Sequence, residues 1–488
     1  MVDPLHVLFL AAEAEPFIKI GGLADVAGSL PVALRALPAE ISNGVGLDVR
    51  LVLPLHRSIR AEANTLRLVA EFSIYRRGEN QAVQVFEMSL GGMPVYFISG
   101  DRINNTPSVY SPDMAADRDK YAFFSLAALE LTRRLNWKPA ILHANDWHTS
   151  LALYALRSRN SHQDGTASGM HTVLTVHNLP FMGSDGSDAL DAYGLLPLEE
   201  ADLPPWALTQ PLPLGLWSAD AIVPVSPTYG EEILTPEFGC GLEGYLRTRR
   251  NDICGILNGI DAETWNPWTD NCLTSHFDAE HLRARGANKS ALQRAMGLEE
   301  NDRVPLLAMI GRIDQQKGID IAFESLRQIE AIDWQFVMLG SGDPVLEGAA
   351  HSLQAAFPER VGLALRYDAR LSRQIYGGAD ILMMPSRYEP CGLAQMIAMR
   401  YGCVPVVRAT GGLVDTVMEG RTGFLFRDTD PKSMSEALHR ALAVHANPQE
   451  WGKIQHNAMN EDFTWPRSAR QYAMIYQSLV SRSERGES

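Results

Sequence analysis

The sequence predicts an α/β protein built of two Rossmann-like, doubly wound domains facing a deep cleft. Three observations lead there. Short β-branched or leucine-rich runs alternate with amphipathic stretches along the whole chain, the pattern of parallel strands joined by crossover helices. The 488 residues are too many for one ordinary core and suit two of similar size. Polar and glycine-rich motifs directly follow several apolar runs, which places them at strand carboxyl ends, where open α/β sheets bind ligands.

In the first half, HVLFLA, VRLVLP, AILHA, TVLTVH and AIVPVS read as buried strands, with helices over Ala24–Leu37, Lys120–Leu135 and Thr149–Arg157. VQVFEMSLGGMPVYFI reads as a hairpin turning at Gly91-Gly92. In the second half, PLLAMIG, QFVMLG, ILMMPS, CVPVV and GFLF read as strands. The polar run RTRRND at Arg247–Asp252 suggests a joint. The expected division is 1–248, 249–462, and a helix over 463–488 that packs back on the first domain.

Composition narrows the function. Hydrophobic residues at 46% against 21% charged exclude a disordered chain. A net charge of −15 disfavours nucleic acid and anionic lipid as partners. The N-terminal apolar run is too short to span a bilayer and lacks a basic leader and a small-residue cleavage site, so it reads as strand rather than signal. The five cysteines, odd in number and without CxxC spacing, suggest reduced thiols and a cytoplasmic setting, and no zinc site.

Six motifs bear chemistry. Lys19-Ile20-Gly21-Gly22-Leu23-Ala24-Asp25 follows the first strand; two glycines allow close backbone approach to a ligand and a helix start offers free N–H groups, although an ordinary tight turn with a surface lysine accounts for the same residues. His143-Ala144-Asn145-Asp146-Trp147-His148 and Thr175-Val176-His177-Asn178 each end a strand in polar groups; a lone histidine there is usually structural, but two such clusters suggest a shared site. Gly311 to Gly318 carries Arg312 and Lys317, a fork and a point charge suited to a diphosphate. Pro385-Ser386-Arg387-Tyr388-Glu389-Pro390-Cys391-Gly392-Leu393 sets a carboxylate in a loop, with a helix expected from about Pro390 whose amides at Cys391, Gly392 and Leu393 would face an anion. Arg408-Ala409-Thr410-Gly411-Gly412-Leu413-Val414-Asp415 is a further glycine-rich turn into a helix, suited to phosphate. Tyr367 reads either as a base-stacking ring or as a core tyrosine. Asp428-Thr429-Asp430 fits a metal–nucleotide pattern but reads as a solvated turn, so no metal and no cofactor are expected.

Taken together, KxGGL at Lys19, HANDWH, TVHN, VSPTY at Val225, LNGID at Leu257, the Arg312–Gly318 run, EPCGL and TGGL resemble the bacterial glycogen synthase and plant starch synthase family, in order and over essentially the whole chain. The resemblance implies the GT-B architecture and metal-independent transfer of glucose, with retention, from ADP-glucose to the 4-hydroxyl of an α-1,4-glucan. It also implies roles. Arg312 and Lys317 would neutralise the diphosphate with help from Lys19, Glu389 would hold the glucosyl hydroxyls, and His177 would contact the sugar. Asp146 would lie near the acceptor, as would Asp25, which supports the lysine loop. Gly392, Leu393, Gly411 and Gly412 would offer amides, with Gly21, Gly22, Asn178, Cys391 and Thr410 beside them. Asn258 and Tyr367 would line the nucleotide side. A front-face attack and a double displacement both remain open. Where relatives carry a lysine before VSPTY, this chain has Leu212-Pro213-Leu214-Gly215 in a proline-rich stretch read as a loop. The competing readings are a related transferase with another donor or acceptor, such as UDP-glucose or a sucrose- or trehalose-forming activity, and a glucan-binding scaffold without catalysis. The presence of Lys19, His177, Arg312, Lys317 and Glu389 speaks against the scaffold.

Overall fold

The computed structural model describes residues 3–38, 46–59, 66–106, 108–162, 169–198 and 202–484. The chain forms two compact units, Met1–Gly259 together with Trp465–Ser488, and Ile260–Thr464.

The first unit holds eight strands: β1 (Leu5–Leu10), β2 (Leu47–Pro54), β3 (Arg67–Arg76), β4 (Glu79–Leu90), β5 (Met93–Ser99), β6 (Ile141–Asn145), β7 (His171–Val176) and β8 (Ala221–Pro224). Their order is β3-β4-β5-β2-β1-β6-β7-β8. The pairs from β5 through β8 are parallel, and β3 and β4 add an antiparallel edge. The inner strands are apolar because crossover helices cover the sheet, which leaves no solvent-facing alternation. The hairpin at Gly91-Gly92 pairs Leu90 with Met93. Its neighbour β3 was not legible in the sequence: its side chains are mostly exposed or half-buried, so the strand lacks the apolar run that marks the others.

The second unit is a six-stranded parallel sheet of β9 (Leu306–Ile310), β10 (Gln335–Leu339), β11 (Val361–Ala364), β12 (Ile381–Met384), β13 (Val404–Arg408) and β14 (Phe424–Phe426), ordered β11-β10-β9-β12-β13-β14. In each unit the strand order reverses direction at one place, between β1 and β6 and between β9 and β12. Crossovers leave the sheet in opposite directions there and open a crevice at the strand carboxyl ends.

Two expectations need correction. The proline-rich stretch before β8 is a helix, Pro211–Ser218, and not a loop. Pro211 and Pro213 fall in its first turn, where an N–H has no intrahelical acceptor to lose. A Cβ on Gly215 would sit 2.5 Å from the Ser150 side chain, so this helix lies hard against the helix Asp146–His162. The run RTRRND lies inside the first unit, where the Arg249 guanidinium donates to the carbonyls of Leu216 (3.0 Å) and Ala219 (2.6 Å) and to Asp252 (2.6 Å).

The final helix, Trp465–Glu484, packs on the helix Gly22–Arg35 and sinks Trp465, Ala469, Tyr472, Ala473 and Tyr476 into the core beneath β1 and β2. His143 in β6 bonds the Tyr476 hydroxyl (2.6 Å) through one ring nitrogen and Thr175 (2.7 Å) through the other. It is fully buried and serves the core; burial pushes its pKa down to about 3, so it stays neutral. Among the described residues no helix is long and apolar enough to cross a membrane.

Gly215→Ala is expected to lower unfolding free energy by about 1–3 kcal/mol, the usual cost of overpacking. Chemical denaturation measures this, and an unchanged midpoint would contradict the close approach to Ser150.

Candidate active site

In the first unit, the reversal between β1 and β6 gathers the predicted groups. Asn145 ends β6, donates from its side-chain amide to the Leu10 carbonyl (2.9 Å), and turns its Oδ1 to His177 Nε2 (2.9 Å). Because that oxygen can only accept, His177 carries its proton on Nε2 and presents Nδ1 as an acceptor. Desolvation lowers the His177 pKa and keeps the ring neutral.

Asp146 opens the next helix with φ of 53°, a left-handed backbone that aspartate tolerates better than most residues. This twist aims its Oδ1 at the N–H groups of His177 (2.7 Å) and Asn178 (3.4 Å). Burial outweighs those two bonds and pushes the carboxyl up to about 7. The Oδ1 atoms of Asn178 and Asn258 are buried and have no hydrogen-bond partner among the described residues. On the β1 side, Lys19 Nζ bonds Asp25 (2.7 Å) and lies 3.6 Å from Glu15. Burial raises the Asp25 pKa despite that cation. Gly21 precedes the helix Gly22–Arg35 as its N-cap. The structure thus brings Lys19 to Asp25, and Asp146 to His177 and Asn178. The second histidine of the HANDWH motif, His148, is buried among Tyr110, Tyr121 and Trp147 and is a core residue.

In the second unit, the turn after β9 approaches the turn after β12. Lys317 Nζ bonds Glu389 Oε2 at 2.6 Å, and the Ser386 hydroxyl donates to the same oxygen at 2.9 Å. Gly318, with φ of 65°, makes this possible: a Cβ there would lie 2.1 Å from the Pro385 carbonyl oxygen. Gln316 ties the two turns again, donating to the Tyr388 carbonyl (3.2 Å) and accepting from Arg387 N–H (2.7 Å). Arg312 is held loosely, by Asp314 (3.1 Å) and Gln316 (3.3 Å), with 61% of its side chain exposed.

The turn after β13 closes the array. Gly412 N–H donates to the Glu389 carbonyl (3.1 Å), and a Cβ on Gly411 would lie 2.0 Å from that same oxygen. Thr410 is buried at the N-cap of the short helix Gly411–Thr416. The helix expected from Pro390 begins only at Ala394. Gly392, with φ of 71°, and the Gln395 amide donating to the Cys391 and Gly392 carbonyls (3.0 and 2.8 Å) hold residues 390–393 in a bend instead. Cys391 is buried and Leu393 caps the helix. Tyr367 follows β11, two strands from β9, and is 82% exposed, so it is not a core tyrosine. Asp430 accepts from Lys432 and Ser433 N–H (2.9 and 3.0 Å) and caps the helix Pro431–His445.

Sequence reasoning gave no role to Ser386, Gln316 or Arg408. Arg408 ends β13, is buried, and donates to the carbonyls of Arg387 and Arg427. A charged residue closing an otherwise apolar strand was the available signal.

A family model described as starch synthase catalytic domain matches residues 6–248, and one described as glycosyl transferases group 1 matches 295–457. A glycogen synthase of Anaeromyxobacter sp. (strain Fw109-5) is 40% identical over 98% of this chain and 100% of its own length. The chain belongs to the glycogen and starch synthase family. A glycogen synthase of Thermotoga maritima is 38% identical over 98% of this chain and 99% of its own. Among solved structures, the catalytic domain of starch synthase IV from Arabidopsis thaliana, bound to ADP and acarbose, aligns with a TM-score of 0.86 at 31% identity, covering 98% of this chain and 100% of that one. As a family member this glycosyltransferase has the GT-B fold, with one α/β unit under each matched model.

Asp146 gives a pH test. Its carboxyl holds a proton more tightly when folded (about 7) than at its ordinary 3.8. The stability this contributes is therefore full below the ordinary value and is lost as pH rises through about 7, by roughly 4 kcal/mol at most. Asp146→Asn mimics the protonated acid, so its stability relative to wild type is expected to climb between about pH 4 and 7 and to level off above that in denaturant titrations. Parallel curves would contradict the buried, protonated carboxyl.

Proposed function

We propose that this protein transfers glucose from ADP-glucose to the non-reducing 4-hydroxyl of an α-1,4-glucan, with retention and without a metal. What carries the reading is the Lys317–Glu389–Ser386 array at the β9/β12 reversal, in a chain that matches glycogen synthases along its length.

The second unit is assigned the donor. An ammonium group has three donors. Lys317 spends one on Glu389 and keeps the others for phosphate oxygens. Arg312, only loosely paired, turns toward a diphosphate at small cost. As the glycosidic bond of the donor breaks, negative charge grows on the leaving phosphate and positive charge on the sugar; fixed cations stabilise the first and lower the barrier. Glu389 is held by Lys317 and Ser386 through Oε2, and its carboxylate accepts from sugar hydroxyls. The backbone of Cys391, Gly392, Leu393, Gly411 and Gly412, beside Thr410, completes the donor side. Tyr367 is assigned to the nucleotide; Asn258, which the family resemblance also gives to the nucleotide side, lies in the first unit.

The first unit is assigned the acceptor and the sugar. His177 stays neutral, so its Nδ1 can accept from a sugar hydroxyl. Asp146 sits near neutrality, where a carboxyl facing an acceptor hydroxyl can exchange a proton. Asn178 contributes its unpartnered oxygen, and Lys19, on the Gly21-Gly22 turn beside Asp25, adds positive charge. The odd cysteine count fits a reducing compartment, and we place the reaction in the cytoplasm on that ground.

Donor competition on glycogen tests the reading: ADP-glucose is expected to be consumed in preference to UDP-glucose, and equal use or reversed preference would overturn the donor assignment. Glu389→Ala is expected to cut kcat by roughly 10²–10³ while the fold persists, the size of effect typical when a group that stabilises transition-state charge is lost. Near-normal turnover would remove Glu389 from the reaction. Lys317→Ala is expected to raise donor KM and lower kcat together, each by about tenfold; an unchanged kcat would remove Lys317 from the leaving-group side.

A further inference from the structure

The loop that carries Lys19 is pinned on both sides of that residue. Before it, Phe17 is buried and meets Phe97 edge to face, with ring centroids 5.1 Å apart. After it, the N–H groups of Ile20 and Gly21 both donate to the Glu13 carboxylate, Gly21 at 3.1 Å to either oxygen. The Tyr110 hydroxyl donates to Glu13 Oε1 at 2.9 Å. Lys19 lies between these anchors with a third of its side chain exposed.

Glu13 is an unusual choice for a merely structural strut. It is 1% exposed, and among the described residues no ion pair reaches it. Burying a carboxylate without a cation costs several kcal/mol even when hydrogen bonds offset part of the loss. Its pKa is raised, chiefly by burial. The position explains what the cost achieves. Gly21 is the N-cap of the helix Gly22–Arg35 and has no side chain, and Ala24 stands at the third helical position, where a capping-box glutamate would reach back to the N-cap N–H. Glu13 makes that bond from the loop that follows β1, and in doing so also takes the Ile20 N–H that adjoins Lys19. Its negative charge lies at the positive end of the helix. The carboxylate therefore couples the loop after β1, the helix start and the Tyr110 segment to the backbone that directly follows the lysine.

We propose that Glu13 is a positioning residue for the transfer reaction: its carboxylate fixes the Ile20–Gly21 backbone and thereby the place of the Lys19 ammonium. The proposal rests on the reading that Lys19 acts on the substrates during transfer. It makes Glu13 and Lys19 one functional unit, which a purely structural role does not. Gln preserves part of the arrangement, since its oxygen accepts from Ile20 and Gly21 while its amide faces Tyr110, whose hydroxyl then accepts. Ala preserves none of it.

The test compares Glu13→Ala, Glu13→Gln and Tyr110→Phe, each with Lys19 present and in a Lys19→Ala background, by kcat with ADP-glucose and glycogen and by thermal midpoint. With Lys19 present, Glu13→Ala is expected to lower kcat about tenfold or more, and in the Lys19→Ala background by less than about threefold, because residues acting as a unit are not additive. Glu13→Gln is expected to recover most of the loss. Should Glu13→Ala fail to fold, Tyr110→Phe carries the same comparison, with a loss of about threefold seen only when Lys19 is present. Equal fold-losses in both backgrounds, or no loss at all, overturn the role of Glu13 while leaving that of Lys19 intact. Wild-type turnover in Lys19→Ala alone overturns the assignment of Lys19, and the role of Glu13 with it, before any Glu13 variant is measured.

Discussion

Backbone packs directly on backbone at the carboxyl ends of the second sheet, and the place of each charged group there follows from it. The turns after β10, β9, β12 and β13 are layered in the order of their strands. A Cβ on Gly340 would lie 2.0 Å from the Gly311 oxygen, one on Gly318 2.1 Å from that of Pro385, and one on Gly411 2.0 Å from that of Glu389. No side chain fits at such spacing, so the layers set the distance between turns without relying on flexible contacts. Lys317 is the residue before one contact, and Glu389 is the residue that receives another. Their 2.6 Å bond is a consequence of the stacking.

Each unit has its own reversal of strand order, and the groups gathered at the two reversals differ in chemistry. At the β9/β12 reversal, the long side chains are cationic or amide, Arg312, Gln316, Lys317 and Arg408, with Glu389 set among them. At the β1/β6 reversal, Glu13, Asp25 and Asp146 are all carboxylates whose pKa values burial raises, beside neutral imidazole at His177 and with Lys19 paired to Asp25. Fixed positive charge suits a diphosphate whose charge grows during the reaction. Carboxyls that burial makes easier to protonate suit hydroxyl groups, which both donate and accept. A nucleotide sugar and a glucan chain differ in that way, which is the basis of the proposal that each unit serves one of them.

Much of this could be read from the residues. The buried parallel strands were legible because both faces are covered, so that HVLFLA or ILMMPS is apolar throughout. The glycine-rich turns were legible because each directly follows such a run. The edge strand β3 was not, because it is largely solvated. The helix Pro211–Ser218 was not, because prolines in a first turn look like loop markers unless the apolar residues after them are weighed more heavily. The late start of the helix at Ala394 depends on the Gln395 side chain folding back on the Cys391 and Gly392 carbonyls, a contact that no local pattern reveals. Glu13 and Ser386 were passed over for a related reason. Each acts through a partner brought in by tertiary structure, Tyr110 for one and the Lys317 turn for the other.

The central claim is that Lys317 meets the nucleotide's phosphates while Glu389, bonded to it, meets the sugar. Calorimetric titration with ADP, which has the phosphates and lacks the sugar, separates the two most directly. The account predicts that Lys317→Ala weakens ADP binding by about tenfold or more, whereas Glu389→Gln leaves it unchanged or tightens it by freeing the ammonium. ADP affinity that is indifferent to Lys317, or that falls as far with Glu389→Gln, would contradict it.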